Sequence, residues 1–420
     1  MNPARIARDA IDRGRFCSDP KKEDGNFLCA ALWAAQLGGA MASPADSSGF
    51  DAAASTFAYH LANPAVSPHA HIMAKSRQRA AFVNARKTLY LDTKFWIKLR
   101  DAALGSPVES ADVALLTALR VALGDGKLIC PVAGDMIAEL LNVGDLPKRR
   151  AAAELVDELS QGITLRMEFE RHSVEIEDFI RRRGRNPVTT PARDLMWTCP
   201  GYVFGLTVPN QPEVDPATMI ALQKAFVDHL YTLRYATQDR MLGHKPEKLR
   251  DRSSLAAKLN QLNQQHAAAV TSWPKLLNDE FRGALDASLP TIADTLDLIT
   301  QEHFNRPLSA EDRLGSKAGA PKIAAILAAL FEQGRISDFV PSLVVRASLA
   351  AGVRWDKTRR YRENDFHDFS HAVAALPYFD LFATERSLAH LVSTHLKLDQ
   401  RYRAKLLRTS DELLTALATI

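Results

Sequence analysis

Short apolar runs alternate with helical patterns between residues 87 and 165, and this alternation restricts the chain to few folds. The runs Lys87–Asp92, Lys127–Val132 and Ile163–Leu165 are typical of buried strands, and helical segments with short turns such as Gly124–Gly126 connect them. Strands that are joined through helices pair in parallel, with right-handed crossovers that cover both faces of the sheet. The sequence therefore predicts an α/β fold built on a parallel sheet.

A further strand is predicted close to the end of the printed sequence. The segment Asp365–Ala375 has helical spacing, Pro377 is expected to end that helix, and Phe379–Thr384 is typical of a strand. Asp365 and Asp368 are three residues apart and would therefore lie on one face of the helix.

The chain has 420 residues, which is long enough for more than one domain. We expect an N-terminal helical extension over residues 1–85 and the first half of the α/β domain over residues 86–186. An α-helical insertion is expected over residues 187–336, where the alternation of strands and helices is lost, with a flexible segment at Gly315–Gly319. Residues 337–420 supply the second half of the domain and C-terminal helices.

The composition, with 46% hydrophobic and 24% charged residues, is typical of a soluble globular protein and speaks against disorder. The four cysteines form no C-x-x-C pair, which excludes a zinc knuckle of that spacing and favours a reducing cytoplasm. No apolar run approaches the ~20 residues of a bilayer span, so we expect no membrane partner. The net charge of +4 permits a polyanionic partner.

Five carboxylates are predicted to converge at one edge of the sheet. In an open parallel sheet the functional crevice lies beyond the carboxyl ends of the strands. Asp92 ends the first strand, Glu385 follows the last strand, and Glu139 lies on the helix that leaves the second strand. Asp365 and Asp368 open the helix that leads into the last strand. Residues that lie nearly 300 positions apart are thus expected to meet.

Such a cluster indicates a metal site, because clustered carboxylates repel one another and raise each other's pKa values. Oxygen ligands without histidine or cysteine favour Mg²⁺ or Mn²⁺ over zinc. Metal sites of this kind activate water and stabilise the charge on a phosphodiester during its cleavage, which is nuclease chemistry. Asp92, Glu139 and Asp368 are the strongest candidates for both catalysis and metal binding, and Asp365 and Glu385 support them as metal ligands.

Each acid also has a simpler interpretation. Asp92 and Asp365 would each cap the start of a helix, and Glu139 would be a solvent-facing residue of an amphipathic helix. Glu385 would be an acid in a first helical turn, where the helix dipole favours it. Asp380 precedes the final strand and belongs near the opposite edge of the sheet, so we expect it to be structural.

Four short motifs resemble those of the PIN-domain superfamily of metal-dependent ribonucleases. They are similar to that family's opening strand and first aspartate, its glutamate-bearing helix, its helix with the third acid, and its final strand, and they lie here at Tyr90–Ile97, Val132–Leu140, Asp368–Ala375 and Phe382–Glu385. The resemblance covers roughly Lys87–Ile180 and Ser337–Leu396.

The resemblance implies a three-layer α/β/α fold with a parallel sheet and Mg²⁺- or Mn²⁺-dependent cleavage of RNA, sometimes of DNA. Two departures bear on that inference. Glu385 stands where aspartate or asparagine is commoner in the family, and the helical insertion makes this chain much longer than a minimal member. The first departure affects the identity of the fourth metal ligand. The second affects which substrate reaches the site.

Basic residues next to the acids are candidates for binding a nucleic acid. Arg359, Arg360 and Arg362 lead directly into the acidic helix, and Tyr361 among them is a candidate for stacking on a base. The alternative is an ordinary solvated run of charges. His367 and His371 flank Asp368, and a hydrogen-bonded structural role is the simpler expectation for both.

These observations together predict a cytoplasmic, metal-dependent endoribonuclease that hydrolyses phosphodiester bonds, of the kind that serves as a toxin or defence effector. RNA is the expected partner, and single-stranded DNA, a regulatory protein and self-association are left open. The alternative is a non-catalytic nucleic-acid-binding or scaffolding protein on a degenerate PIN-like fold. A phosphatase-like site is not supported, because Asp92-Thr93-Lys94 does not supply a pair of aspartates two residues apart.

Overall fold

The computed structural model describes residues 56–183, 190–203, 209, 214–241, 253–304, 306–336, 338–402 and 404–420. Most of the expected N-terminal extension lies outside these residues, as does the expected start of the insertion at residues 187–189. Residues 56–62 are helical and precede the first labelled helix.

The described residues form seven short strands. They are β1 (Lys87–Leu91), β2 (Leu128–Ile129), β3 (Val132–Ala133), β4 (Thr164–Leu165), β5 (Trp197–Thr198), β6 (Leu381–Ala383) and β7 (Lys405–Leu407). Four of them make a parallel sheet in the order β2-β1-β6-β7, and the other three make a sheet in the order β3-β4-β5 in which only β5 is antiparallel.

Helices make up most of the described chain. In chain order they are α1 (Pro68–Asn84), α2 (Thr93–Ala103), α3 (Ser110–Gly124), α4 (Gly134–Leu141), α5 (Leu146–Ser160), α6 (Glu168–Arg182), α7 (Pro200–Val203), α8 (Pro216–Thr232), α9 (Tyr235–Met241), α10 (Ser253–Gln265), α11 (Trp273–Ala287), α12 (Leu289–Phe304), α13 (Ala310–Glu332), α14 (Pro341–Trp355), α15 (Asp365–Tyr378), α16 (Arg386–His390), α17 (Leu398–Tyr402) and α18 (Ser410–Leu417). Short 3₁₀ segments lie at Ala192–Leu195 and Ala267–Ala269, and a π-helical turn lies at Leu391–His395.

Strand β1 is central, and both of its faces are covered by apolar side chains. Because successive side chains of a strand point to opposite faces, Leu89 and Leu91 join one buried cluster and Tyr90 joins another. The first cluster draws on α2, α3 and α5, and the second draws on α1, α14 and α15. The predicted α/β class with a parallel sheet is confirmed, although the sheet is small and the chain is mostly helical.

Two predicted element boundaries differ from the structure, both at prolines. The predicted strand Lys127–Val132 is divided at Pro131 into β2, which pairs with β1, and β3, which pairs with β4. Proline has no N–H to donate to a ladder, so the pairing changes partner there. Helix α15 does not end before Pro377 but continues to Tyr378, with the proline in its last turn.

The predicted flexible segment Gly315–Gly319 is instead part of the continuous helix α13. A capping box formed by Ser309 and Asp312 fixes the start of this helix. Gly319 has a packing role, because a Cβ atom there would lie 3.2 Å from the Leu296 side chain of α12. The glycine therefore allows a close approach of two helices.

Helices α11, α12, α13 and α14 share a third buried cluster with α6, so the helical insertion packs against elements on both sides of it in sequence. Helix α13 is long and apolar enough to cross a membrane by length and composition alone. One face of it, with Ala320, Leu327 and Phe331, is buried in this cluster.

Asp380 forms hydrogen bonds that join β1 to the start of β6 at the amino-terminal edge of the sheet. Its Oδ2 accepts hydrogen bonds from the backbone N–H of Thr88 at 2.9 Å and from the Thr88 hydroxyl at 2.8 Å. The same hydroxyl lies 2.9 Å from the Asp380 backbone nitrogen. The pKa of Asp380 is lowered because the bonds from Thr88 and the charge of Lys87 outweigh the effect of burial. The structure thus agrees with the structural role expected for Asp380.

We expect Asp380→Ala to lower the free energy of unfolding by about 1–3 kcal/mol, because it leaves the buried Thr88 N–H without its acceptor. Chemical denaturation monitored by circular dichroism measures this. Lys87→Ala is the matched control and should change stability by only about 0.5 kcal/mol, because its ion pair is exposed. The difference in stability between the two variants should shrink as the pH falls through the pKa of Asp380. A group whose pKa is lowered by folding stabilises the fold only while it is ionised. Equal effects of the two variants would contradict this role.

Candidate active site

Asp92 ends β1 and begins α2. Its backbone N–H donates to the carbonyl of Ala383 at 3.1 Å, and its Oδ1 accepts from the N–H of Phe95 at 3.3 Å, so it caps the helix. The side chain is almost fully buried. Burial raises the pKa of Asp92 to about 6, and the Glu385 carboxylate adds to this, although His371 and hydrogen bonds from Phe95 and Thr384 oppose it. Asp92 therefore caps the helix and also interacts with other titratable side chains at this edge.

Asp368 and Glu385 lie at the same edge as Asp92. Burial raises the pKa of Asp368 to about 6, and repulsion from Glu385, Asp365 and Asp92 adds to it against the attraction of His371. Glu385 lies two residues after the end of β6, is exposed, and makes no cap hydrogen bond to helix α16. The parallel pairing of β1 with β6 ends at Leu91 and Ala383, so Asp92 and Glu385 both follow their strands at the same edge of the sheet.

Glu139 is surrounded by polar partners. The Thr93 hydroxyl donates to its Oε2, while His367 Nδ1 lies 3.0 Å and His371 Nε2 lies 3.2 Å from its Oε1. Burial alone would raise the pKa of Glu139, but the contacts with His367, His371 and Thr93 lower it well below its usual range. Glu139 therefore stays ionised and is not a solvent-facing residue of α4.

His371 connects Glu139 to the central strand. Its Nδ1 lies 2.7 Å from the hydroxyl of Tyr90, and its side chain is buried. Burial would lower the pKa of His371, but the carboxylates of Glu139 and Asp92 raise it overall. Burial and nearby acids raise the pKa of Tyr90, which keeps its hydroxyl protonated. The hydrogen-bonded structural role expected for His371 fits this geometry. One of its two partners, Glu139, is itself a predicted site residue.

Asp365 is largely occupied by other groups. Its Oδ2 accepts from the backbone N–H of Arg362 at 2.8 Å, and its Oδ1 lies 3.4 Å from a guanidinium nitrogen of Arg359. Both oxygens thus hold the segment that precedes α15. Of the five predicted metal ligands, Asp365 is the one that this geometry supports least.

Asp135 is a neighbouring acid that the sequence analysis missed. It lies in the first turn of α4, four residues before Glu139, and its Oδ2 is buried without a hydrogen-bond partner. Burial raises the pKa of Asp135, and Glu168 adds to the effect, while Arg171, His371 and Arg346 oppose it. The spacing of four residues, which puts two acids on one helix face, is a signal that could have revealed it.

The donor groups at this edge have the chemistry that a hard divalent cation requires, but their ligand atoms are farther apart than in a metal-bound site. Asp92, Asp368 and Glu385 offer oxygen atoms, and the first two have raised pKa values. Throughout the described ranges, however, no three of the five predicted acids bring ligand atoms within 4.8 Å of one another. The group that meets this criterion there is His60, His71 and Asp228, which lie elsewhere.

The predicted nucleic-acid-binding residues differ in their exposure. Arg360 and Arg362 are exposed just before α15, and Arg359 is half-buried beside Asp365. Tyr361 is only 9% exposed and stacks on Phe366 with ring centroids 5.8 Å apart. Stacking of Tyr361 on a base does not fit this position, because core residues cover its ring. From sequence alone, a tyrosine close to an apolar helix can either pack in the core or stack on a ligand.

We expect Asp368→Asn to stabilise the protein in EDTA by about 1–2 kcal/mol at pH 7.5 and by much less at pH 4.5. The pKa of Asp368 in the folded protein, about 6, is higher than that of an unfolded aspartate, so its ionisation destabilises the fold as the pH rises through this interval. Denaturant unfolding at the two pH values measures the effect. Asp365→Asn, the control, should destabilise at both, because it weakens the bonds to Arg359 and Arg362. A loss of stability in Asp368→Asn at pH 7.5 would contradict the prediction.

No protein-family model matches this chain, no curated protein matches it, and no solved structure matches it. The likeness to the PIN-domain superfamily therefore stays a resemblance of short motifs, carried by the strand and helix ends around Asp92, Glu139, Asp368 and Glu385.

Proposed function

We propose that this chain is a metal-dependent endoribonuclease with a PIN-like, three-layer α/β/α domain. One observation carries the proposal: at the carboxyl edge of β1 and β6, burial raises the pKa values of both Asp92 and Asp368, and the Glu385 carboxylate adds to both shifts. Ionised acids that repel one another lower stability, and such an arrangement is typical of sites that act on a ligand.

The finer fold proposal is supported by the sheet and its surroundings. The strand order β2-β1-β6-β7 is parallel throughout, and separate apolar clusters cover the two faces of β1. Helices on both faces of a parallel sheet constitute the three-layer arrangement that the motifs predict. The candidate acids then lie where ligands bind in open α/β sheets.

Asp92, Asp368 and Glu385 would hold Mg²⁺ or Mn²⁺, which when bound supplies an activated water and neutralises charge on the phosphate. The chain's own residues prepare this edge. Glu139 is fixed in its ionised form by Thr93, His367 and His371. Its lowered pKa keeps Glu139 negatively charged at neutral pH.

Arg360 and Arg362 are the groups that would hold the RNA. Both are exposed, and the N–H of Arg362 is bonded to Asp365 at the start of the helix that carries Asp368. Guanidinium groups bind phosphate oxygens through paired donors, so they suit the backbone of a single strand. The two arginines would position a phosphodiester over the acids without reading its sequence.

A second candidate function is a nucleic-acid-binding or scaffolding protein on a degenerate PIN-like fold. Two observations favour it. Oε1 of Glu139 already contacts two histidines, and within the described ranges no three of the predicted acids bring ligand atoms within 4.8 Å of one another. A role as a toxin or defence effector in the cytoplasm, with a regulatory partner, is a proposal by analogy. Metal-dependent cleavage separates the two candidates.

We expect the purified protein to cleave labelled single-stranded RNA or tRNA with Mn²⁺ or Mg²⁺ and not with EDTA. Asp92→Asn and Asp368→Asn should each lose activity by about 10²–10³-fold, since metal stabilisation of the reacting phosphate contributes several kcal/mol. Single-stranded DNA in the same assay ranks the substrates.

Glu363→Gln is the matched control, because it neutralises an exposed acid two residues before Asp365 and should retain full activity. Cleavage that persists in EDTA or in both aspartate variants would exclude the proposed mechanism. Inactivity of the wild type together with metal-independent RNA binding would favour the scaffolding function.

We expect Arg360→Ala and Arg362→Ala to weaken binding of single-stranded RNA by similar factors for all sequences. Each should reduce the slope of log K against log salt by about 0.7, because each removes one phosphate contact. Fluorescence anisotropy at several salt concentrations, with the Asp92→Asn protein to prevent cleavage, measures the slope. Arg335→Ala, which removes an exposed arginine after α13, should leave it unchanged. An unchanged slope in the first two variants would place the RNA elsewhere.

A further inference from the structure

A second cluster of ligand-type side chains lies where the N-terminal helices meet the insertion. His60 belongs to the helical segment 56–62, His71 belongs to α1, and Asp228 belongs to α8. The Nε2 atom of His60 lies 2.7 Å from Asp228 Oδ2, and the Nε2 atom of His71 lies 2.8 Å from Asp228 Oδ1. Two imidazoles from different helices thus converge on one carboxylate.

The spacing of these atoms is close to that of a metal site. The three ligand atoms lie within 4.8 Å of one another. Tetrahedral zinc with bonds of about 2.0–2.1 Å places neighbouring ligand atoms roughly 3.3 Å apart. The two observed nitrogen–oxygen distances would therefore each have to open by only about half an ångström. Histidine and carboxylate ligands also suit zinc better than they suit magnesium.

The protonation state of His60 agrees with the geometry of the cluster. Burial lowers the pKa of His60, although the Asp228 carboxylate opposes this, and neutral imidazole is the form that binds a metal. The contacts with His71, Lys75 and His60 lower the pKa of Asp228 well below its usual range despite its burial. The carboxylate is therefore available as an anionic ligand.

Lys75 occupies part of the same carboxylate. Its ammonium nitrogen lies 2.8 Å from Asp228 Oδ1, the oxygen that His71 also contacts. The side chain of Lys75 is 28% exposed and is long and flexible, so it can move into water at small cost. The buried Lys224 donates instead to the backbone carbonyl of Asn63 at 2.7 Å and does not compete directly.

We propose that His60, His71 and Asp228 form a Zn²⁺ site, with Lys75 held on Asp228 when the metal is absent. The fourth position belongs to water, because Asp228 and Lys75 line a cavity of about 600 Å³ between α1, α5 and α8. On binding, each Nε2 atom gives up its proton to solvent or to Nδ1, and the Lys75 ammonium moves into the cavity. The bound metal joins the segment 56–62 and α1 to the insertion.

Co²⁺ titration of the EDTA-stripped protein tests this site. Cobalt with nitrogen ligands in tetrahedral geometry gives intense visible bands, whereas cobalt in an all-oxygen octahedral site gives weak ones, so the acids at Asp92 and Asp368 do not interfere. We expect the band to saturate at an intensity that corresponds to one tetrahedral Co²⁺ per chain, and Zn²⁺ to abolish it. His60→Asn, His71→Asn and Asp228→Asn should lose the band while His69→Asn, which contacts Glu302 and lies outside the cluster, keeps it.

Lys75→Gln extends the test to a variant that keeps all three ligands. Removal of the competing ammonium should tighten Zn²⁺ binding by about fivefold to tenfold in a competition with a chelating dye. It should also give a larger zinc-dependent rise in melting temperature than the wild type shows. Absence of a saturable band in the wild type would overturn the site, and so would equal Co²⁺ binding by all four substituted proteins or an unchanged affinity in Lys75→Gln.

Discussion

The parallel pairing of β1 with β6 holds the two halves of the sheet together. It joins Leu89–Leu91 to Leu381–Ala383, and the bonds between Thr88 and Asp380 secure it across 292 residues of sequence. Closing so long a loop costs entropy, but the cost grows only slowly with length, so a long helical insertion is tolerated. The same pairing puts Asp92 beside the segment that carries Glu385. The sheet and the candidate site therefore have a common origin.

The carboxyl edge and the amino edge of this sheet treat acids in opposite ways. At the amino edge Asp380 accepts bonds from Thr88 and its pKa is lowered, so its charge stabilises the fold. At the carboxyl edge Asp92 is buried and Asp368 is half-buried near other acids, and their pKa values are raised, so their charges destabilise the fold. Only the acids at the carboxyl edge therefore have an electrostatic cost that a bound cation would relieve, since those at the amino edge are already satisfied.

The periodicity of the sequence was sufficient for the α/β class and for placing Asp92 and Glu385 just after two paired strands, because strand ends in a parallel sheet share an edge. The periodicity was insufficient where a single proline or glycine decides how a segment pairs or packs. Pro131 divides a strand, and Gly319 serves helix packing within α13 instead of flexibility. The pairing of Glu139 with His367 and His371 and the burial of Tyr361 depend on tertiary packing that no local pattern records.

The split of the sheet between distant segments also has a consequence for synthesis. While the chain emerges, Asp92 and Glu139 are present long before the residues that form β6, and ribosomes at ~5–20 residues per second need roughly 15–60 s for the interval. Until then β1 has no partner on its β6 side and the acids of α15 do not exist. A nascent chain of this protein thus carries an incomplete carboxyl edge until the residues of α15 and β6 have been synthesised.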